Sequence, residues 1–230
     1  MLICYQLEPS RSGFPLPSRK FIKQEPVMIK DRLQFVRFLS CMFCLLGTVL
    51  LSRGTANAAE LVNPFDFSQD SYVFLGGYGQ SVPGWGKTEE RVTTLELIPR
   101  CNHRIIDNMG SGWYRGFHSI LLEVPLSLVL SPDESAMLGI TFLGAYTFTA
   151  DPIWQPYLFG GGGPVYNFAD IPGMGADING NYQFGIGLEY AWTENRKLLV
   201  ESRYHHISNN GSEDPNDPLN AYKLLVGVTF

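Results

Sequence analysis

The sequence predicts an all-β protein: an eight-stranded antiparallel transmembrane β-barrel preceded by a cleavable signal peptide. Three observations carry that reading. An export signal lies near the N-terminus. After it, apolar and polar residues alternate with period two and no helical period of useful length appears. The composition, with 24 glycines and 13% aromatic residues, suits a barrel whose wall carries aromatic girdles.

The export signal comes first. Phe38–Leu51 is an apolar run of signal-peptide length, too short for a comfortable membrane-spanning helix. Lys30, Arg32 and Arg37 precede it, and Ala56-Asn57-Ala58 follows it as a cleavage site. Residues 1–58 are therefore read as an N-terminal extension and signal peptide, with the true translation start expected at Met28. Residues 59–230 are read as the barrel domain. Cys41 and Cys44 lie inside the apolar run rather than after it, which argues against lipoprotein attachment. Only Cys101 remains beyond residue 58, so neither an internal disulfide nor a zinc knuckle is available. The destination is the cell envelope, and for a barrel the outer membrane of a Gram-negative bacterium. Net charge is −5, and no basic tract follows the signal, so nucleic acid is not an expected partner.

The strands are expected at 70–80, 91–101, 117–131, 135–149, 153–167, 180–193, 197–208 and 220–230. In the third, Ile120, Leu122, Val124, Leu126, Leu128 and Leu130 share a face, with Ser119, Glu123 and Ser127 on the other. In the sixth, Tyr182, Phe184, Ile186, Leu188, Tyr190 and Trp192 alternate with polar residues and glycine. The last places Tyr222, Leu224, Val226, Val228 and Phe230 on one face. A soluble sandwich rarely pairs so many large apolar residues on one face with Gly, Ser and Glu on the other. Lipid outside and a narrow polar lumen inside explain the pattern. Eight strands enclose only enough space for their own side chains, so no pore is expected. Glu96, Arg100, Glu123, Glu189, Glu201 and Arg203 fall on the lumen side, where they need partners. Pro99, Pro125, Pro156 and Pro164 fit poorly within central strands. Residues 101–117 make a long periplasmic turn.

Among potential motifs, Gly160–Gly163 does not lead from a strand into a helix, so a phosphate loop is not indicated. These glycines suit a cramped lumen or a wall flattened for a ligand. His103 and His118 lack partners at metal-ligand spacing, and the acidic loop of Glu213, Asp214 and Asp217 is read as solvated.

The seventh strand carries the chemistry. Glu201, Arg203 and His205 share one parity and belong in the lumen, so His206 and Ser208 point outward with Leu198 and Val200. With both termini periplasmic, the 209–219 loop is extracellular and the pair sits at the outer leaflet. Asn220 shares the outward parity of the neighbouring strand. A hydroxyl nucleophile, an imidazole base and an orienting group thus converge, the arrangement of serine hydrolysis.

The residues Tyr204-His205-His206-Ile207-Ser208-Asn209-Asn210-Gly211, with Pro215-Asn216-Asp217-Pro218-Leu219-Asn220 and an alternating last strand, resemble the lipid A 3-O-deacylase family, acyloxyacyl-hydrolase-like outer-membrane proteins. Trp154-Gln155-Pro156-Tyr157 is a looser echo. The resemblance implies a serine esterase that removes an ester-linked 3-O acyl chain from the lipid A of lipopolysaccharide. It makes His206 the base and Ser208 the nucleophile, and it gives Asn209 and Asn216 an oxyanion role. It requires no cofactor and no metal, and it suits a monomer or homodimer. The departure is Asn220, where the best-known members have glutamate. An amide can hold the histidine tautomer but cannot stabilise imidazolium by charge, so slower chemistry is expected. Two other readings use the same features: a non-enzymatic barrel serving envelope integrity or adhesion, and an outer-membrane phospholipase acting through the same patch.

Overall fold

The computed structural model describes residues 59–168 and 171–230. The expected signal peptide and the start at Met28 lie outside the described residues. The strands are β1 (Glu60–Leu61), β2 (Ser71–Ser81), β3 (Thr93–Met109), β4 (Gly116–Glu123), β5 (Leu126–Ser131), β6 (Ser135–Gly139), β7 (Thr141–Phe148), β8 (Trp154–Asn167), β9 (Ile178–Thr193), β10 (Arg196–Ser208) and β11 (Leu219–Thr229). All pairings are antiparallel. β4 with β5, and β6 with β7, form two interrupted staves, and β2 closes the ring by pairing with both β11 and β3. The result is the expected ring of eight.

Two boundaries differ from expectation. The second stave does not end at residue 101: β3 continues to Met109, pairing β4 along its length and β1 at Asp107 and Ile106. Register shifts between Arg104 and Ile106, and again before Met109, break the period-two pattern there, so alternation gives no sign of the strand. The connection to β4 is correspondingly short. The third and fourth staves, expected as continuous, are interrupted near Val124-Pro125 and at Ile140. Pro99, Pro125 and Pro164 explain this: each accepts a bond from a neighbouring stave, from Val124 N (3.1 Å), Gly139 N (3.0 Å) and Ile140 N (3.1 Å) respectively, yet none returns an N–H. The row is close-packed: a Cβ on Gly139 would meet Pro164 O at 3.1 Å and one on Gly163 would overlap Ile140 O.

Facing follows the alternation. Phe142, Phe184, Ile186, Leu224 and Val226 stand on the outer wall, each more than half exposed. Inside, Glu96, Glu123, Glu201 and Arg203 are at most 1% exposed. This apolar-outside, polar-inside order inverts that of a soluble barrel and suits lipid. The buried charges are paired. Arg100 reaches Glu123 at 2.7 Å and Glu201 at 2.5 Å, and Arg203 reaches the same two carboxylates at 2.8 and 2.5 Å. Tyr157 donates to Glu201 as well. Lys223 pairs with Glu96 at 2.9 Å, and Ser127 and Thr94 each donate to that carboxylate at 2.6 Å. Along β10 these charges separate Leu199, in one apolar cluster, from Ile207 in another.

The longer connections, 82–92, 209–218 and the described part of 168–177, lie at one end of the barrel together with 132–134. The opposite end holds the start of β2, the end of β11 and the shorter connections 110–115, 149–153 and 194–195.

Removing one member of the four-residue charge ring leaves a buried charge unpaired. Glu123→Ala is therefore expected to destabilise the barrel by about 3–5 kcal/mol, read as a lower denaturant midpoint in detergent micelles. A midpoint equal to that of the parent protein would refute this account of the lumen.

Candidate active site

The site is built across β10 and β11, where His206 and Asn220 are directly opposed in the register. On the other side of β10, His206 faces Tyr182 and Ser208 faces Gly180 of β9. The lumen charges fix the parity of β10, so His206 and Ser208 stand on the outer wall at the long-loop end. Both are half-buried.

Asn220, in contrast, is only 5% exposed. Its Oδ1 accepts from the Tyr204 hydroxyl at 2.5 Å and lies 2.8 Å from His206 Nδ1. Its Nδ2 donates to Trp85 O at 2.9 Å and to Thr88 Oγ1 at 2.8 Å. Trp85 and Thr88 belong to the 82–92 connection, which folds over the start of β11 and is pinned there by Val82 N donating to Asn220 O at 2.9 Å. The Trp85 ring packs against Tyr204 and Tyr222, with centroids 5.0 Å away in each case. Tyr182 lies on the other flank of the imidazole, 6.1 Å between centroids.

Ser208 ends β10 at a tight turn. Ser212 N donates to Asn209 O at 3.2 Å, and φ is positive at both central residues, 57° at Asn210 and 74° at Gly211. Asn-Gly is the pair that tolerates such a turn. The Ser208 hydroxyl donates to Asn216 Oδ1 at 3.2 Å and accepts from Asn210 N at 3.1 Å. Asn209 N also donates to Asn216 Oδ1, at 3.1 Å; an N–H cannot accept, which fixes the orientation of that amide. Asn216 is held by the 168–177 connection, where Gly175 N donates to Pro215 O at 2.7 Å and Asp217 N to Gly173 O at 2.8 Å.

The five residues expected at the site therefore fall into three positions. His206 and Asn220 are in contact. Ser208 is bonded to Asn216 rather than to His206. The Asn209 side chain is committed to the loop, donating to Glu213 O and accepting from Gly211 N at 2.8 Å each. Among the described residues no carboxylate pairs with His206, and Glu213, Asp214 and Asp217 do not take the orienting position. Trp85 and Thr88 carry no spacing or period that links them to residue 220, whereas Tyr204 shares the outward parity of His206 but has no acid–base signature that marks it as a site residue.

Residues 104–229, more than half of the chain, match the family model for lipid A 3-O-deacylase (PagL). Among solved structures, the outer membrane enzyme PagL is similar at 17% identity over 69% of this chain and 97% of that one, with a TM-score of 0.46. Neisserial surface protein A is similar at 15% identity over 70% and 95%, with a TM-score of 0.48. OprG from Pseudomonas aeruginosa is similar at 13% identity over 70% and 95%, with a TM-score of 0.39. No curated protein sequence matches the chain.

Asn209→Ala removes both bonds that brace the turn after Ser208. A loss of about 1–3 kcal/mol in local stability is expected, with faster proteolytic cutting at residues 210–215 and an intact barrel. Unchanged cutting would show that the turn does not depend on this side chain.

Proposed function

The chain belongs to the lipid A 3-O-deacylase family and is a β-barrel of the Gram-negative outer membrane, and we propose that it is a serine esterase hydrolysing the 3-O acyl ester of lipid A. The observation that carries the reading is the contact of His206 Nδ1 with Asn220 Oδ1 at 2.8 Å, on an outer wall beside Ser208. An acceptor at Nδ1 holds the proton there and leaves Nε2 with its lone pair, the form a general base requires.

The scheme follows from that tautomer. As substrate enters from the outer leaflet, the Ser208 hydroxyl turns from Asn216 to His206 Nε2 and attacks the ester carbonyl. His206 takes the hydroxyl proton and then delivers it to the departing sugar oxygen. Water, activated by the same imidazole, releases the fatty acid and restores Ser208. Asn216 supports the oxyanion: its Oδ1 is fixed by Asn209 N, so its amide hydrogens are free of any partner among the described residues. Asn209 contributes by shaping the loop. Phe184, exposed, and Tyr182, half-buried, lie beside the site on β9 and offer apolar surface for an acyl chain. No cofactor enters the scheme. Lipopolysaccharide is the proposed partner, met by a monomer or a homodimer.

Purified protein incubated with lipopolysaccharide should release a 3-hydroxy fatty acid. Ser208→Ala should abolish the release, and His206→Gln should slow it by about 10²–10⁴-fold. Mass spectrometry of lipid A and phospholipids from expressing cells reads the outcome. Undiminished release by Ser208→Ala would sink the mechanism, and a chain lost from phospholipid instead would overturn the substrate.

A further inference from the structure

We propose that the 82–92 connection is a positioning element: through the Asn220 amide, Thr88 and the Trp85 carbonyl hold His206 in the tautomer with a free Nε2. The inference rests on the role proposed for His206 above. It adds two residues on a loop that forms no hydrogen bond with the imidazole or with Ser208.

The argument is one of hydrogen-bond direction. The Thr88 hydroxyl lies 2.7 Å from Pro218 O, a carbonyl that can only accept, so the single hydroxyl proton goes there. Thr88 Oγ1 must then be the acceptor in its other two contacts, from Asn220 N at 2.9 Å and Asn220 Nδ2 at 2.8 Å. Trp85 O, also acceptor only, takes the second amide hydrogen at 2.9 Å. With Nδ2 committed to the strap, Oδ1 must face Tyr204 and His206. An oxygen at that point requires the proton on Nδ1.

The opposite amide orientation would set Oδ1 against Trp85 O with no proton between them. It would also turn Nδ2 towards Nδ1, moving the imidazole proton to Nε2, where the ring cannot act as a base. Thr88 is 3% and Asn220 5% exposed, so solvent does not replace the strap's acceptors. The same two acceptors disfavour a carboxylate at position 220. Aspartate would bring a second oxygen towards the Trp85 carbonyl, and Thr88 could donate to it only by abandoning Pro218. The strap is matched to an amide.

The test combines kinetics with ¹⁵N NMR of histidine-labelled protein in micelles, the His206 signals being assigned by their loss in His206→Gln. The parent protein should show the Nδ1–H tautomer. In Thr88→Val the signals should move towards the Nε2–H tautomer, and kcat should fall by roughly tenfold or more with KM unchanged. Thr88→Ser should restore both. Asn220→Asp should lower kcat, although it adds the charge that would favour imidazolium. Parent-like tautomer and kcat in Thr88→Val, or a kcat above the parent's in Asn220→Asp, would overturn the inference. Ser208→Ala keeps the two ideas apart. Release that persists in it defeats the esterase reading, while the spectrum of Thr88→Val still decides whether the strap sets the tautomer.

Discussion

The pairing of Arg100 and Arg203 with Glu123 and Glu201 inside the lumen is the constraint from which the rest of this structure follows. Four charges from three staves close into a ring without net charge, each of the four residues at most 4% exposed. Each stave must therefore present these residues inward. Because side chains alternate strictly along a strand, a slip of one residue would place arginine in lipid and the apolar wall in the lumen. Arg203 thus decides the position of His206. The outward face of the imidazole is a consequence of a salt bridge three residues earlier in the chain.

On that fixed wall the site is assembled from parts of different character. His206 and Asn220 are cross-strand neighbours, held by the ladder itself. Ser208 stands at the last position of β10, where regular pairing gives way to a turn. Asn216 is delivered by a loop that is braced in turn by the 168–177 connection. Placement of the proposed base on the ladder and of the proposed nucleophile at a strand end suits a hydroxyl that exchanges one partner for another in the proposed scheme.

The alternation of residues was enough to read the eight staves and the facing of β10, since lipid and lumen impose opposite chemistry on successive positions. The part of β3 beyond Cys101 was hidden because two bulges scramble that alternation, leaving residues 102–107 at intermediate exposure. The breaks near Val124 and Ile140 had a visible cause in the prolines, but their alignment into one row depends on register, which composition does not report. At the candidate site, parity and adjacency were enough to set His206 opposite Asn220 and Ser208 on the same face of β10, while the bond of Ser208 to Asn216 depends on the loop. Thr88 could not: it meets Asn220 across 132 positions of sequence, and a threonine in a loop has no pattern that distinguishes it.

The strap lies at residues 82–92, ahead of the segment matched by the family model. This gives the site an evolutionary asymmetry. The amide at 220 and its two acceptors form one unit shared between separated stretches of chain, so a change from amide to carboxylate is viable only alongside a remodelled loop. Descendants that exchange one without the other would carry a mismatch inside an otherwise sound barrel. The 82–92 connection and the last strand are coupled at this one amide.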